Sequence, residues 1–236
     1  MKFPDPLIPG KLIKRYKRFL TDVELESGEI VIAHCANSGS MLSVQDAGAD
    51  VWLSPARNPD RKLRYTWELI KIGETLVGIN TALPNGIVEE AIVDGTIKEL
   101  AGYETLRREV KYGKNSRIDI LLEDQARPTC YVEVKNVTLK RDPGGDGPVE
   151  FPDSVTARGA KHLVELSDMV GDGHRAVMVY LVQRTDAERF TVAADIDPAY
   201  AEALEKAMAA GVEVLCYECK LSLEGIEVSR PLTIAL

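Results

Sequence analysis

The sequence predicts an α/β (α+β) protein of two domains, a small β-barrel or sandwich followed by a sheet flanked by helices. Three observations carry that prediction. Short strand-like runs crowd the first third of the chain, the patterning changes at the turn signal Pro84-Asn85-Gly86, and the remainder reads in the order α-β-β-β-α-β-α-β. A chain of 236 residues is comfortable for two domains that each bury a core. The boundary falls between residues 82 and 83, giving domains 1–82 and 83–236.

The elements follow in order. "GEIVIAHCA" (28–36), "DVWLSPA" (50–56) and "KLRYTWELIKIGETLVGIN" (62–80) are strand-like, broken by "NSGSM" and "NPDR". Short strands with turn residues between them are the pattern of a small barrel or sandwich. Ahead of them, "KLIKRYKRFL" sets Lys11, Lys14, Arg15, Lys17 and Arg18 around Tyr16 and Phe19. That stretch fits a nucleic-acid strand, with charges on phosphates and rings under bases, and equally an edge strand kept soluble by lysines. After the turn, "GIVEEAIVDGTIKELAG" (86–102) carries helical spacing at Ile87, Ala91, Gly95 and Ile97–Lys98, weakened in its middle by Gly95. "RREVKYG", "RIDILL" and "TCYVEVKN" are then three strands with short connections, an antiparallel meander. "KRDPGGDGP" (140–148) is a loop by composition. The helix "TARGAKHLVELSDMVG" and the buried strand "RAVMVYLVQ" follow. Asp197 caps a last helix that has Pro198 at its first position and ends at Gly211, and the strand "VEVLCYECKL" closes the set.

Composition narrows the class. A hydrophobic share of 45% and a charged share of 28% are ordinary for a soluble globular chain. No apolar run reaches the about eighteen residues of a membrane span, and "MKFPDPLIPG" has no signal-peptide core, so the expected address is the cytoplasm. Of the four cysteines only Cys216 and Cys219 have metal-like spacing, and no second pair completes a zinc site. Buried thiols are expected instead. The net charge of −8 argues against indiscriminate coating of nucleic acid, but residues 1–80 are nearly balanced and the acidity lies in the remainder.

The chemistry concentrates in "RIDILLEDQARPTCYVEVKN" (117–136). Strand alternation puts Cys130, Val132 and Val134 on one face and Tyr131, Glu133 and Lys135 on the other. In the preceding strand Ile118, Ile120 and Leu122 take the apolar face, leaving Asp119 opposite. If the strands are neighbours, Asp119, Glu133 and Lys135 converge. Two half-buried carboxylates are costly unless a cation joins them, and hard oxygen ligands fit Mg²⁺ or Mn²⁺ far better than zinc. Such an ion would polarise a phosphoryl oxygen while Lys135 orients water or stabilises charge on the phosphate, which is machinery for phosphodiester hydrolysis.

Asp-x(13)-Glu-x-Lys across two strands, within that element order, resembles the PD-(D/E)xK nuclease superfamily. Ile118 stands where a proline often precedes the aspartate, and Pro152-Asp153 follows the motif and is set aside. In that superfamily the first helix often adds an acid, which implies Glu90, with Glu89 and Glu99 behind it, as a partner of Asp119 and Glu133 on the metal. More narrowly, "HCANSGSM", "RKLRYTWELI", "NTALPNGIVEEA", "ELAGYETLRREVKYGKNSRIDILL", "YVEVKNVTL", "FPDSVTARGAKHLVEL" and "IDPAYAEAL" together resemble the sugar fermentation stimulation protein family, SfsA, over nearly the whole chain. The resemblance implies an N-terminal OB-fold, a nuclease-like second domain, DNA binding and a regulatory link to sugar metabolism, notably maltose.

The expected partner is therefore nucleic acid, DNA by resemblance, with no membrane role, and a homodimer is compatible with cutting both strands of a duplex. Lys14, Arg15, Lys17 and Arg18, the cluster Arg57, Arg61 and Arg64, and Arg158 and Lys161 near a helix start are the candidate phosphate contacts. Tyr65 and Trp67 lie beside the second cluster, where Trp67 fits barrel core equally well. The rival readings are a DNA-binding regulator that does not cut and a sugar-sensing module with a structural metal.

Overall fold

The computed structural model describes all 236 residues. The first domain is a closed five-stranded barrel. Strands β1 (Ile8–Tyr16), β2 (Leu20–Leu25), β3 (Ile30–His34), β4 (Asp50–Pro55) and β5 (Tyr65–Ile72) close through the parallel pairing of β3 with β5, and β6 (Thr75–Gly78) extends the edge beside β5. Closure removes the free edges of a small sheet. Trp67 is wholly buried in the barrel core with its indole N–H donating to the Leu69 carbonyl, so it offers no stacking surface. Of the two readings of residues 11–20, the strand holds for β1, and β2 is a strand that the sequence reading did not name.

The second domain is built on a six-stranded mixed sheet. Helix α1 (Pro84–Val93) leads into the antiparallel meander β7 (Thr105–Tyr112), β8 (Ser116–Glu123) and β9 (Cys130–Val137), as expected. β10 (Val149–Phe151), α2 (Ala157–Gly171), β11 (Arg175–Val182), β12 (Arg189–Val192), α3 (Pro198–Ala209), β13 (Glu213–Leu221), β14 (Ile226–Pro231) and β15 (Thr233–Ile234) follow. The sheet order is β14-β13-β11-β9-β8-β7, with β9, β11 and β13 parallel, and β10, β12 and β15 form a small second sheet. Asp197 and Thr156 cap α3 and α2 through their side chains, as Asx and Thr residues do ahead of an apolar periodic run.

Helices cover both sheet faces, and this explains one departure from the sequence reading. α1 packs on a core holding Ile120, Leu122, Val132 and Val134, whereas α2 and α3 pack on a core holding Ile118 and Leu121. Ile118 therefore does not share a face with Ile120 and Leu122. Sheets covered on both sides bury apolar residues from every position, so alternation alone misassigns them. The same geometry sends Cys216 and Cys219 into opposite cores, and all four cysteines are free and buried.

α1 starts two residues before the expected helix, with Pro84 at its first position, and stops at Val93 rather than running on to residue 102, because Gly95 behind it has φ +81°. Residues 1–3, assigned from sequence to the barrel, instead lie along the second domain, where Phe3 N–H donates to the Glu224 carbonyl. The domains also share packing: Leu69 of the barrel sits in the α1 core.

Candidate metal and phosphate site

The β8–β9 ladder runs from Leu122↔Cys130 to Ile120↔Val132 and stops there. At the next position Asp119 Oδ2 accepts the Val134 N–H at 2.8 Å, so a carboxylate takes the place of a strand carbonyl. On the other side of β8, Glu109 has φ +53°, and the β7–β8 register skips the Glu109–Asp119 position. A non-glycine residue in that backbone region is the kind of irregularity that gathers beside functional groups. The strands part around Asp119, and a cavity of about 430 Å³ opens.

Asp119, Glu133 and Lys135 line this cavity together, Glu133 and Lys135 by their alternation on β9 and Asp119 by its bond to the Val134 N–H. Lys135 Nζ donates to Glu133 Oε1 at 2.6 Å, and the same oxygen is paired with His162 Nδ1. Glu133 is only 2% exposed, and its second oxygen, Oε2, is buried with no hydrogen-bond partner. Burial first, and then the neighbouring Glu133, push the Asp119 carboxyl above its ordinary range. For Glu133 burial also pushes upward, but His162 and Lys135 outweigh it and hold the carboxyl below the usual value.

Helix α1 delivers Asn85 rather than an acid. Its side-chain N–H donates to Asp119 Oδ1 at 2.8 Å and reaches Glu109 Oε1 at 3.4 Å. Glu90 does not line the cavity: it is exposed and paired with the amino group of Met1 at 2.5 Å. Glu89 pairs with Arg108 at 3.1 Å, and Glu99 accepts from the Tyr217 hydroxyl at 2.6 Å. The reason is helical phase. Ile87, Val88, Ala91 and Ile92 must face the core, which turns Glu89 and Glu90 away from the end of the helix where Asn85 meets the sheet.

Helix α2 covers the far side. Arg158 lines the cavity and donates from Nε to His162 Nε2 at 3.3 Å, forming a line Arg158–His162–Glu133. Lys161 lies outside, on Ser116 Oγ at 3.1 Å and Glu165 at 3.4 Å. Glu150 of β10 and Asp153 just after it add two more acids to the wall. No group of three His, Cys, Asp or Glu side chains is gathered in the manner of a closed metal cage. A pair of carboxylates with one unpartnered buried oxygen instead suits a hard cation that keeps several waters, as Mg²⁺ does.

The barrel residues divide. Lys17 and Arg18 are exposed in the β1–β2 turn, at φ +49° and +65°. Lys14 is exposed beside Asp22 at 3.6 Å, over the ring of Tyr16. Arg15 is committed to the fold, donating to the Asn37 and Gly39 carbonyls at 2.9 Å each. Arg57 holds Asp5 at 2.9 Å and the Pro4 carbonyl at 3.0 Å, Arg64 bonds the Pro59 carbonyl, and Arg61 is exposed. The sequence reading missed Asn85, Asn37 and Ser38 as cavity residues. None carries a local signal, because each reaches the cavity only through long-range packing.

Comparison with known proteins agrees with this architecture. Residues 13–79 match the model of the SfsA N-terminal OB domain, and residues 82–225 match that of the sugar fermentation stimulation protein RE domain. The chain is 63% identical to the sugar fermentation stimulation protein homolog of Rhodospirillum rubrum, over 98% of both chains. It is 58% identical to that of Paramagnetospirillum magneticum, over 100% of this chain and 98% of the other. It also superposes on the structure of Pyrococcus furiosus SfsA in complex with Ca²⁺ with a TM-score of 0.88 and 27% identity, over 100% and 98% of the two chains. No helix is long and apolar enough to cross a membrane. The matched family models, the near-full-length relatives and the shared architecture together make this chain a member of the sugar fermentation stimulation protein (SfsA) family.

Proposed function

We propose that the protein binds nucleic acid, DNA in the first instance, and hydrolyses its phosphodiester bonds with the help of Mg²⁺ or Mn²⁺. The observation that carries this reading is Glu133 Oε2, a buried carboxylate oxygen with no partner, in a cavity that also holds Asp119. Four carboxylates, those of Asp119, Glu133, Glu150 and Asp153, face the cavity against Lys135 and Arg158, so a phosphate enters readily only alongside a cation. The SfsA of Pyrococcus furiosus was solved in complex with Ca²⁺, a hard cation of the same kind, which supports the choice of ion.

Asp119 and Glu133 would hold the ion, which when bound supplies Lewis-acid polarisation of the phosphate and acidifies water. Hydrolysis forms one P–O bond to water, breaks one to the leaving sugar oxygen, and moves a proton from the water to that oxygen. Lys135 contributes a fixed ammonium for the charge that builds on the phosphate. Asn85 and the Val134 N–H hold the Asp119 carboxylate in place, and His162 does the same for Glu133. Arg158 is the phosphate partner at the cavity wall, while Lys14, Lys17, Arg18, Arg61 and Arg64 draw in the backbone from the barrel.

The test is cleavage of labelled single- and double-stranded DNA and RNA with Mg²⁺, with Mn²⁺ and with EDTA, beside a Lys135→Ala control. Metal-dependent cutting that the variant loses is the expected result. Binding without cutting under every metal would overturn the hydrolase reading and leave a DNA-binding regulator.

A further inference from the structure

The cavity is walled on one side by the barrel. Asn37 and Ser38, in the loop after β3, line it opposite Asp119 and Glu133. That loop is fixed from both domains. Arg15 holds the Asn37 and Gly39 carbonyls, Ser40 Oγ donates to the Asp153 carbonyl at 2.5 Å, and Met41 N–H donates to Asp153 Oδ2 at 2.8 Å. A Cβ on Gly39 would stand 3.0 Å from the Asp153 carboxylate, so a larger residue there would have to push the loop or that carboxylate aside. The loop is thus held by Arg15 from the barrel side and by Asp153 from the second domain.

The acids lie at the floor. Glu133 is 2% exposed and Lys135 14%, in a cavity lined by the barrel loop with the Glu150–Asp153 segment tied to it and by Arg158 and His162 of α2. A phosphate must descend to that floor to react. Duplex DNA carries its phosphates on a stiff rod with a persistence length of about 50 nm, and bringing one strand down between two fixed walls requires unpairing it. A single strand bends freely and fits a recess of about 430 Å³, the scale of a small-ligand pocket. Arg15 Nε also donates to the Arg18 carbonyl at 3.2 Å, so one side chain ties the exposed Lys17–Arg18 turn to the loop that carries Asn37 and Ser38.

We infer that the substrate is an unpaired nucleic-acid strand, either free or as the frayed or tailed end of a duplex, led from the Lys17–Arg18 turn past Asn37 and Ser38 to the floor. The inference rests on the hydrolase reading for its reaction but not for its geometry. The barrel is then a selector for strandedness, and the Asp153 tether is what keeps the wall closed.

The experiment compares one labelled oligonucleotide as a single strand, as a blunt duplex and as a duplex with an unpaired tail, in Mg²⁺. Cutting of the strand and the tail at least about tenfold faster than the blunt duplex is expected. Equal rates would overturn the inference while leaving the hydrolase reading intact. Binding of the same three forms to the Lys135→Ala protein is read by anisotropy, so that an absence of cutting removes only the hydrolase reading. A single strand held about tenfold tighter than the duplex supports the inference there, and equal affinity overturns it. Asp153→Ala, checked for folding by thermal melting, frees the wall and is expected to narrow the preference. Should that variant fail to fold, the wild-type and Lys135→Ala comparisons still decide.

Discussion

Arg184, Asp186 and Lys140 form one cluster of buried charge, Asp119, Glu133 and Lys135 form another, and only the first closes on itself. Arg184 is wholly buried and spends its guanidinium on both Asp186 oxygens, at 2.6 and 2.9 Å, and on the Thr138 carbonyl at 2.7 Å. Lys140 is 1% exposed and donates to the carbonyls of Gly145, at 2.9 Å, and Asp186. Every polar atom there has a partner. In the other cluster Glu133 Oε2 has none, and Asp119 is held by neutral amides rather than by a cation. The second lies on the interior strands β8 and β9, and the first just beyond the ends of β9 and β11 in the same sheet. The first cluster satisfies its own groups, and the second leaves a buried carboxylate oxygen unpaired beside a cavity.

The largest expected effect lies in the closed cluster. Arg184→Met strands Asp186 and the Thr138 carbonyl in the interior and should cost about 3–5 kcal/mol in denaturant unfolding, the usual result of removing one partner of a buried pair. A loss below 1 kcal/mol would place the cluster outside the load of the fold and break the comparison. In the open cluster the effects separate. Asp119→Asn should lower metal-dependent cleavage by about a hundredfold or more, while its thermal midpoint without metal stays the same or rises, since a costly buried carboxylate is gone. A matching fall in stability would make Asp119 a structural residue.

pH sharpens the contrast because the two aspartates shift in opposite directions. Burial, then Glu133, raises Asp119, so without metal its stabilising contribution is present below the unfolded-state value and is lost as pH rises through the folded value. For Asp186 burial pushes upward but Arg184 and Lys140 outweigh it. Its contribution is present above the unfolded-state value and is lost as pH falls through the lowered folded one. Melting curves of Asp119→Asn and Asp186→Asn across the acid range should therefore depart from wild type with opposite slopes. Smallest of all is Arg57→Ala. Its pair with Asp5 is exposed, so stability should move by less than about 1 kcal/mol by chemical unfolding.

Much of this was legible locally. The alternation of β9 placed Glu133 and Lys135 on one face, the meander placed Asp119 beside them, and Asp197 with Pro198 marked the start of α3. These signals survive because each depends on neighbours in the chain. The acid expected from the first helix was illegible, because helical phase is set by which residues the core demands, and the core put Asn85 rather than Glu90 at the site. Arg15 reads from sequence as a phosphate contact, and only packing shows that its donors are already engaged.

The sequence by itself therefore determined the two-domain order, the strand periodicities and the carboxylate pair with its lysine, all of which follow from spacing of two or a few residues along the chain. Tertiary structure alone decided that β3 closes onto β5, that His162 and Asn85 complete the pair, and that a barrel loop tied to Asp153 becomes a wall of the site. Those contacts join residues far apart in the chain, and which of them form is fixed by the packing of whole faces, a quantity no local pattern carries.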